Sequence, residues 1–140
     1  MKSSKSIGLV LGSLLFTGLF SGLVNAQSAV VLYNERVVEI DQTLPDATEL
    51  WVTPEDLTRI NDFVLKPQGA CLAELCIPIL QDRDSDMFVT RANQGWLNFS
   101  GLADKLQQAS MTDYNDGIWS FGTMPLERQS FFRAGEAPDF

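Results

Sequence analysis

Two helix starts of the same type, one in each half of the chain, constrain the fold most. Leu50-Trp51-Val52 is a strand-like triplet that runs into Thr53-Pro54-Glu55-Asp56. A capping threonine, a proline in the first helical position and two acids in the first turn satisfy and complement the exposed N–H groups of a helix N-terminus. Leu57 and Ile60 then mark one apolar face. Trp96, Asn98 and Leu102 stand 45 residues after Trp51, Thr53 and Leu57, so both halves read as aromatic strand end, cap and helix face. Leu102 and Leu106 carry the second helix to an expected end near Ala109. Met111 to Tyr114 and Ile118 to Phe121 flank Asn115-Asp116-Gly117, a hairpin turn signal. In the first half Val64-Leu65 and Cys76-Ile77 are the corresponding strands, joined by a cysteine-bearing loop. The expectation is two β-α-β-β units of about 45 residues, at 50–80 and 95–123. Lys105 stands where Ile60 does, so the register drifts.

Upstream, Ala29-Val30-Val31-Leu32-Tyr33 and Val37-Val38-Glu39-Ile40 are β-rich runs separated by Asn34-Glu35-Arg36, the pattern of a β-hairpin. Residues 41–49, with Pro45 and Asp46, read as a loop. The fold class is therefore α+β, a small domain over residues 27–129, with residues 130–140 as a tail.

The first 26 residues stand outside that fold. Lys2 and Lys5 precede an apolar run from Ile7 to Val24, and Val24-Asn25-Ala26 ends in small residues. This is the layout of a secretory signal peptide cut after Ala26. The competing reading is a membrane anchor, since the run is long enough to span a bilayer. Gly8, Gly12, Gly18 and Gly22 dilute it and no basic stop-transfer cluster follows, which favours cleavage and no membrane association afterwards. The domain is then expected in an oxidising space, periplasmic or secreted.

Composition narrows the chemistry. There is no histidine, which removes Ser-His-Asp triads, Cys-His dyads, HExxH zinc sites and imidazole relays. Ten Lys and Arg against 18 Asp and Glu leave a net charge of −8. Such a chain repels phosphate backbones, so nucleic acid is not an expected partner. No catalytic residue, metal site or cofactor is assigned, and an enzyme is the less favoured reading.

Cys71 and Cys76 are the only cysteines, spaced C-x4-C rather than the C-x-x-C of thioredoxin-type oxidoreductases. Three readings stay open: a structural disulfide, a cycling dithiol, or a soft-metal site for an ion such as Cu(I). The first is favoured because Lys66 is the sole cation near enough in sequence to lower a thiol pKa. Asp82, Asp84 and Asp86 alternate as in the opening of a calcium loop, but Met87 and Asn93 occupy positions that need Gly and a bidentate acid. That run reads as a solvated connector. Asn98-Phe99-Ser100 matches a glycosylation sequon, although Asn98 is already assigned as a cap. Trp51, Trp96 and Trp119 are candidate ligand-contact aromatics, weighed against ordinary core packing.

The stretch Leu50-Trp51-Val52-Thr53-Pro54-Glu55-Asp56-Leu57, continued by Leu65-Lys66-Pro67-Gln68-Gly69-Ala70-Cys71 and Cys76-Ile77-Pro78, resembles the region preceding the thioredoxin fold in bacterial redoxin proteins of the AhpC/TSA type. Gly135-Glu136-Ala137-Pro138-Asp139-Phe140 is similar to the segment with which redoxin domains begin. A weaker similarity of pattern links the units to the repeats of copper amine oxidase N-terminal-like domains. The redoxin fold would follow Phe140, so no family catalytic residue is carried over. The resemblance implies a non-catalytic accessory domain that works beside a thioredoxin-fold redoxin protein. Two other functions remain as expectations: a small thiol-disulfide protein using Cys71 and Cys76, and a periplasmic small-ligand binding module using the tryptophans.

Overall fold

The computed structural model describes residues 27–125. The leader with its cleavage site after Ala26, and the redoxin-like tail at 130–140, lie outside the described residues.

The expected hairpin opens the domain as β1 (Gln27–Tyr33) and β2 (Arg36–Thr43). Asn34, in left-handed conformation at φ 54°, makes its turn, a backbone region that Asn tolerates better than most residues. Alternation puts Ala29, Val31, Tyr33, Val38 and Ile40 on one buried face. The other strands of this sheet come from the far end of the domain. β9 (Ser110–Asp113) and β10 (Ile118–Phe121) form the second expected hairpin. β10 pairs with β1 in parallel, Val31 beside Trp119 and Tyr33 beside Phe121, giving the order β2-β1-β10-β9.

Between these hairpins lie two smaller sheets and two helices. β3 (Trp51–Val52) leads into α1 (Pro54–Asn61), where the Thr53 side chain accepts the Asp56 N–H at 3.2 Å. Leu57 and Ile60 are fully buried and Asp62, at φ 66°, ends the helix in left-handed conformation. β4 (Val64–Lys66), β5 (Gly69–Leu72) and β6 (Leu75–Pro78) form an antiparallel meander. β7 (Phe88–Arg91) and β8 (Gln94–Asn98) pair with each other, and β3 completes their sheet in the order β3-β8-β7. α2 (Phe99–Lys105) follows directly from β8, capped by the Asn98 side chain, which accepts the Gly101 N–H at 2.8 Å.

The strand-helix-strand-strand order thus occurs as β3-α1-β4-β5 and as β8-α2-β9-β10. β3 and β8 join them: Val52 and Leu97, the same 45 residues apart, are paired with each other and wholly buried. Phe99 N–H also donates to the Leu50 carbonyl at 2.7 Å. Its counterpart by spacing, Pro54, has no N–H to give.

Two local expectations need correction. The second helix ends at Lys105, not near Ala109. Gln107 turns to φ 58° and Gln108 N–H donates back to the Ala103 carbonyl at 2.9 Å, a left-handed helix stop made without glycine. Cys76 lies in a strand as expected, but Cys71 does not sit in a loop between the strands of Val64 and Ile77. Cys71 lies in β5 and Cys76 in β6, and Val64 pairs with Cys71. Gly69 permits the tight β4–β5 return: at φ 144°, a Cβ there would run into the Ile77 carbonyl.

The core forms where the buried face of the four-stranded sheet meets both helices. Phe99, at the start of α2, stacks edge-on to Phe121 at 4.8 Å and to Tyr33 at 6.2 Å between ring centres. Phe63, Leu50, Leu102, Leu106 and Ile79 fill the remainder with under 2% exposure.

Candidate functional site

Cys71 and Cys76 are directly opposite each other on β5 and β6 and are joined by a disulfide. Alternation turns Leu65, Ala70 and Ile77 toward the core, so the bridge lies on the outer face of its sheet, in the cross-strand row begun by Val64. The two cysteines nevertheless differ in environment. Cys71 is only 3% exposed, whereas Cys76 is half-buried. The Cys71 sulfur lies 3.8 Å from the Gly69 carbonyl oxygen, whose partial negative charge opposes a thiolate there. Between the cysteines the strands turn through Ala73 and Glu74, with Ala73 at φ 51°. A left-handed alanine costs about 1–2 kcal/mol, and the bridge holds the strands on both sides of it.

The three tryptophans do not converge on one site. All are buried, at 7–8% exposure. Trp51 donates its indole N–H to Asp46 Oδ2 at 3.0 Å, and Trp119 stacks edge-on with Tyr114 at 5.7 Å. Trp119 lines a cavity of about 250 Å³ with Asp46, Leu50, Tyr114 and Gly117, and neither Trp51 nor Trp96 is part of that wall. Asp46 is held below the usual carboxylate range, first by the Thr48 backbone N–H and also by the Trp51 and Glu49 N–H groups. It is therefore the anchor of the long β2–β3 connection. The Trp96 indole N–H, by contrast, is buried with no acceptor among the described residues.

The connector bearing Asp82, Asp84 and Asp86 is a series of turns stapled by Arg83 and Asp84 N–H groups donating to the Leu80 carbonyl. The Asp86 carbonyl accepts Asn98 Nδ2 at 3.0 Å, so Asn98 is a buried double-ended cap rather than an accessible sequon asparagine. Among the described residues no group of three His, Cys, Asp or Glu side chains converges as a metal site.

Sequence reasoning missed a polar cluster at the end of β1. The Tyr33 hydroxyl accepts Gln108 Nε2 at 2.9 Å, and the same amide nitrogen donates to the Gly122 carbonyl at 2.8 Å. Burial pushes the Tyr33 pKa up, and the Gln108 bond, the Arg36 charge and the nearby Asn61 amide pull against it. Arg36 makes a two-pronged pair with Asp62, at 3.0 and 3.3 Å, and donates to the Arg59 and Ile60 carbonyls, closing the C-terminus of α1. Its own pKa is raised by that Asp62 bond. No sequence spacing joins Tyr33, Asn61 and Gln108, which meet only after β1 and β10 pair. The polar residue ending an apolar alternation in β1 is the one local hint.

These features define a small α+β domain with a disulfide-clasped outer sheet. No family model, curated protein or solved structure matches the chain. Among the described residues no helix is long and apolar enough to cross a membrane.

Proposed function

We propose that the chain is an exported, non-catalytic accessory domain that acts beside a thioredoxin-fold redoxin protein, with the Cys71–Cys76 bridge as a structural clasp. The observation that carries the non-catalytic part is the setting of Cys71. Reduction would leave a thiolate on a nearly buried sulfur facing a carbonyl oxygen, which makes it a poor leaving group in exchange. The basic, apolar and small-residue succession from Lys2 to Ala26 supports export, and a bridge suits an oxidising compartment. The redoxin association rests on the likeness at residues 50–78 and at Ala137-Pro138-Asp139-Phe140.

Thiol trapping of the purified chain across a graded dithiol buffer tests the clasp, with a midpoint below about −300 mV expected for a structural bridge. A midpoint near −200 mV, the range of working exchange proteins, replaces this reading with a thiol-disulfide carrier. The half-buried Cys76 sulfur, the reachable one, is the observation on that side. The mass of the exported form, expected to begin at Gln27, tests the leader separately.

A further inference from the structure

Cleavage after Ala26 makes Gln27 the first residue of the exported chain, and Gln27 is also the first residue of β1. That cleavage belongs to the export reading, and the present proposal rests on it. A glutamine in this position carries a nucleophile and its electrophile together: the α-amino nitrogen and the side-chain carboxamide carbon are spaced to close a five-membered ring. What the fold adds is the freedom to close it. Gln27 and Ser28 are exposed, and the Gln27 carboxamide has no hydrogen-bond partner among the described residues. The Gln27 backbone carbonyl oxygen is held instead, accepting Thr43 Oγ1 at 3.1 Å, and that oxygen takes no part in the ring.

The place of this residue gives the ring a consequence. β1 is an inner strand, between β2 and β10, and its buried side begins at Ala29, two residues on. Exposed termini are where proteolysis concentrates, so trimming from a free terminus at Gln27 runs straight toward the sheet. We propose that Gln27 closes to a pyroglutamyl lactam that seals the start of β1 against aminopeptidases. The neutral amine attacks Cδ, the N–Cδ bond forms and the Cδ–Nε2 bond breaks. The departing nitrogen takes one amine hydrogen and leaves as ammonia, with no oxidant, reductant or co-reactant. The product lacks the α-ammonium that an aminopeptidase recognises and keeps the carbonyl that Thr43 holds. The competing state is a retained ammonium held by Glu49, which lines the same cavity as Gln27.

The test reads intact masses of two samples: the chain expressed with its leader and taken from the exported fraction, and a chain beginning at Gln27 released from a fusion with its amine free. The exported form is expected at the mass of a chain starting at Gln27 less one ammonia. Near pH 8, where about half of an α-amine is neutral, the released chain is expected to lose the same mass within about threefold of the rate of the free peptide Gln-Ser-Ala-Val-Val. Gln27→Ala is expected to keep its full mass and to be trimmed by a broad-specificity aminopeptidase at least about tenfold faster than the lactam form. An exported chain whose first residue is not Gln27 overturns the cleavage reading and the proposal together. An exported chain that begins at Gln27 with its amine free overturns the proposal alone. Slower closure than the threefold limit in the released chain, or slower trimming of Gln27→Ala than the tenfold limit, does the same.

Discussion

Two titrating side chains carry opposite pH signatures. Asp46 has a folded-state pKa below its usual value because backbone N–H groups and the Trp51 indole solvate the carboxylate. Its stabilisation is therefore present above the unfolded value of about 3.9 and is lost as pH falls through that value toward the lower folded one. Urea midpoints measured from pH 6 down to 2.5 are expected to fall less steeply for Asp46→Asn than for the parent, from a lower plateau. Tyr33 behaves in reverse. Burial raises its folded pKa, so the neutral form stabilises the fold below about pH 10, and stability declines as pH rises past the unfolded value. Tyr33→Phe is expected to flatten the alkaline limb between about pH 9.5 and 11, read by far-UV circular dichroism. The sequence gives little local sign of either role: Asp46 is one of several acids in a connection, and Tyr33 stands out only as the polar end of an apolar β-run.

At the scale of elements, capping chemistry was the most legible signal. Thr53-Pro54-Glu55-Asp56 and Asn98 start α1 and α2 at the expected residues, because the first turn's N–H groups need acceptors within reach along the chain. Thr53→Ala is expected to cost about 1 kcal/mol in urea unfolding, and Asn98→Ala more, toward 2, since it also removes the bond to the Asp86 carbonyl. Helix stops were less legible. α2 ends before Gln107 although Gln107, Gln108 and Ala109 are compatible with a helix. Leaving it there lets Gln108 turn inward to Tyr33 and Gly122, a contact between residues 75 apart. The strand that holds Cys71 is hidden in the sequence for a similar reason. A turn through Ala73 and Glu74 has no glycine or proline to announce it, and only the pairing of β5 with both neighbours made Cys71 a strand residue.

For the whole molecule, two cross-links act at different ranges. The Cys71–Cys76 bridge closes a short loop, and chain entropy for about six residues gives about 2 kcal/mol. The Cys71→Ala, Cys76→Ala double variant is expected to fold with an unfolding free energy lowered by that amount, read from urea denaturation. The Val52–Leu97 pair is a longer-range tie, joining the two halves through the β3–β8 contact. Leu97→Ala is expected to cost about 2–5 kcal/mol. Combined with Val52→Ala, the loss is expected to depart from the sum of the single losses by at least 0.5 kcal/mol, because each side chain is the other's partner.

By itself the sequence determined the α+β class, both hairpins, both helix starts and the burial of Leu57, Ile60, Leu102 and Leu106. Those properties follow from alternation, caps and turn residues acting over a few positions. Tertiary structure alone decided that β1 lies parallel to β10, that the two halves meet at Val52 and Leu97, and that Trp51, Trp96 and Trp119 are dispersed into separate contacts. It also assembled the polar cluster of Tyr33 and Gln108. Pairings between strands so far apart in the chain leave no local imprint, since any strand edge with matching apolar alternation satisfies the same backbone hydrogen bonds.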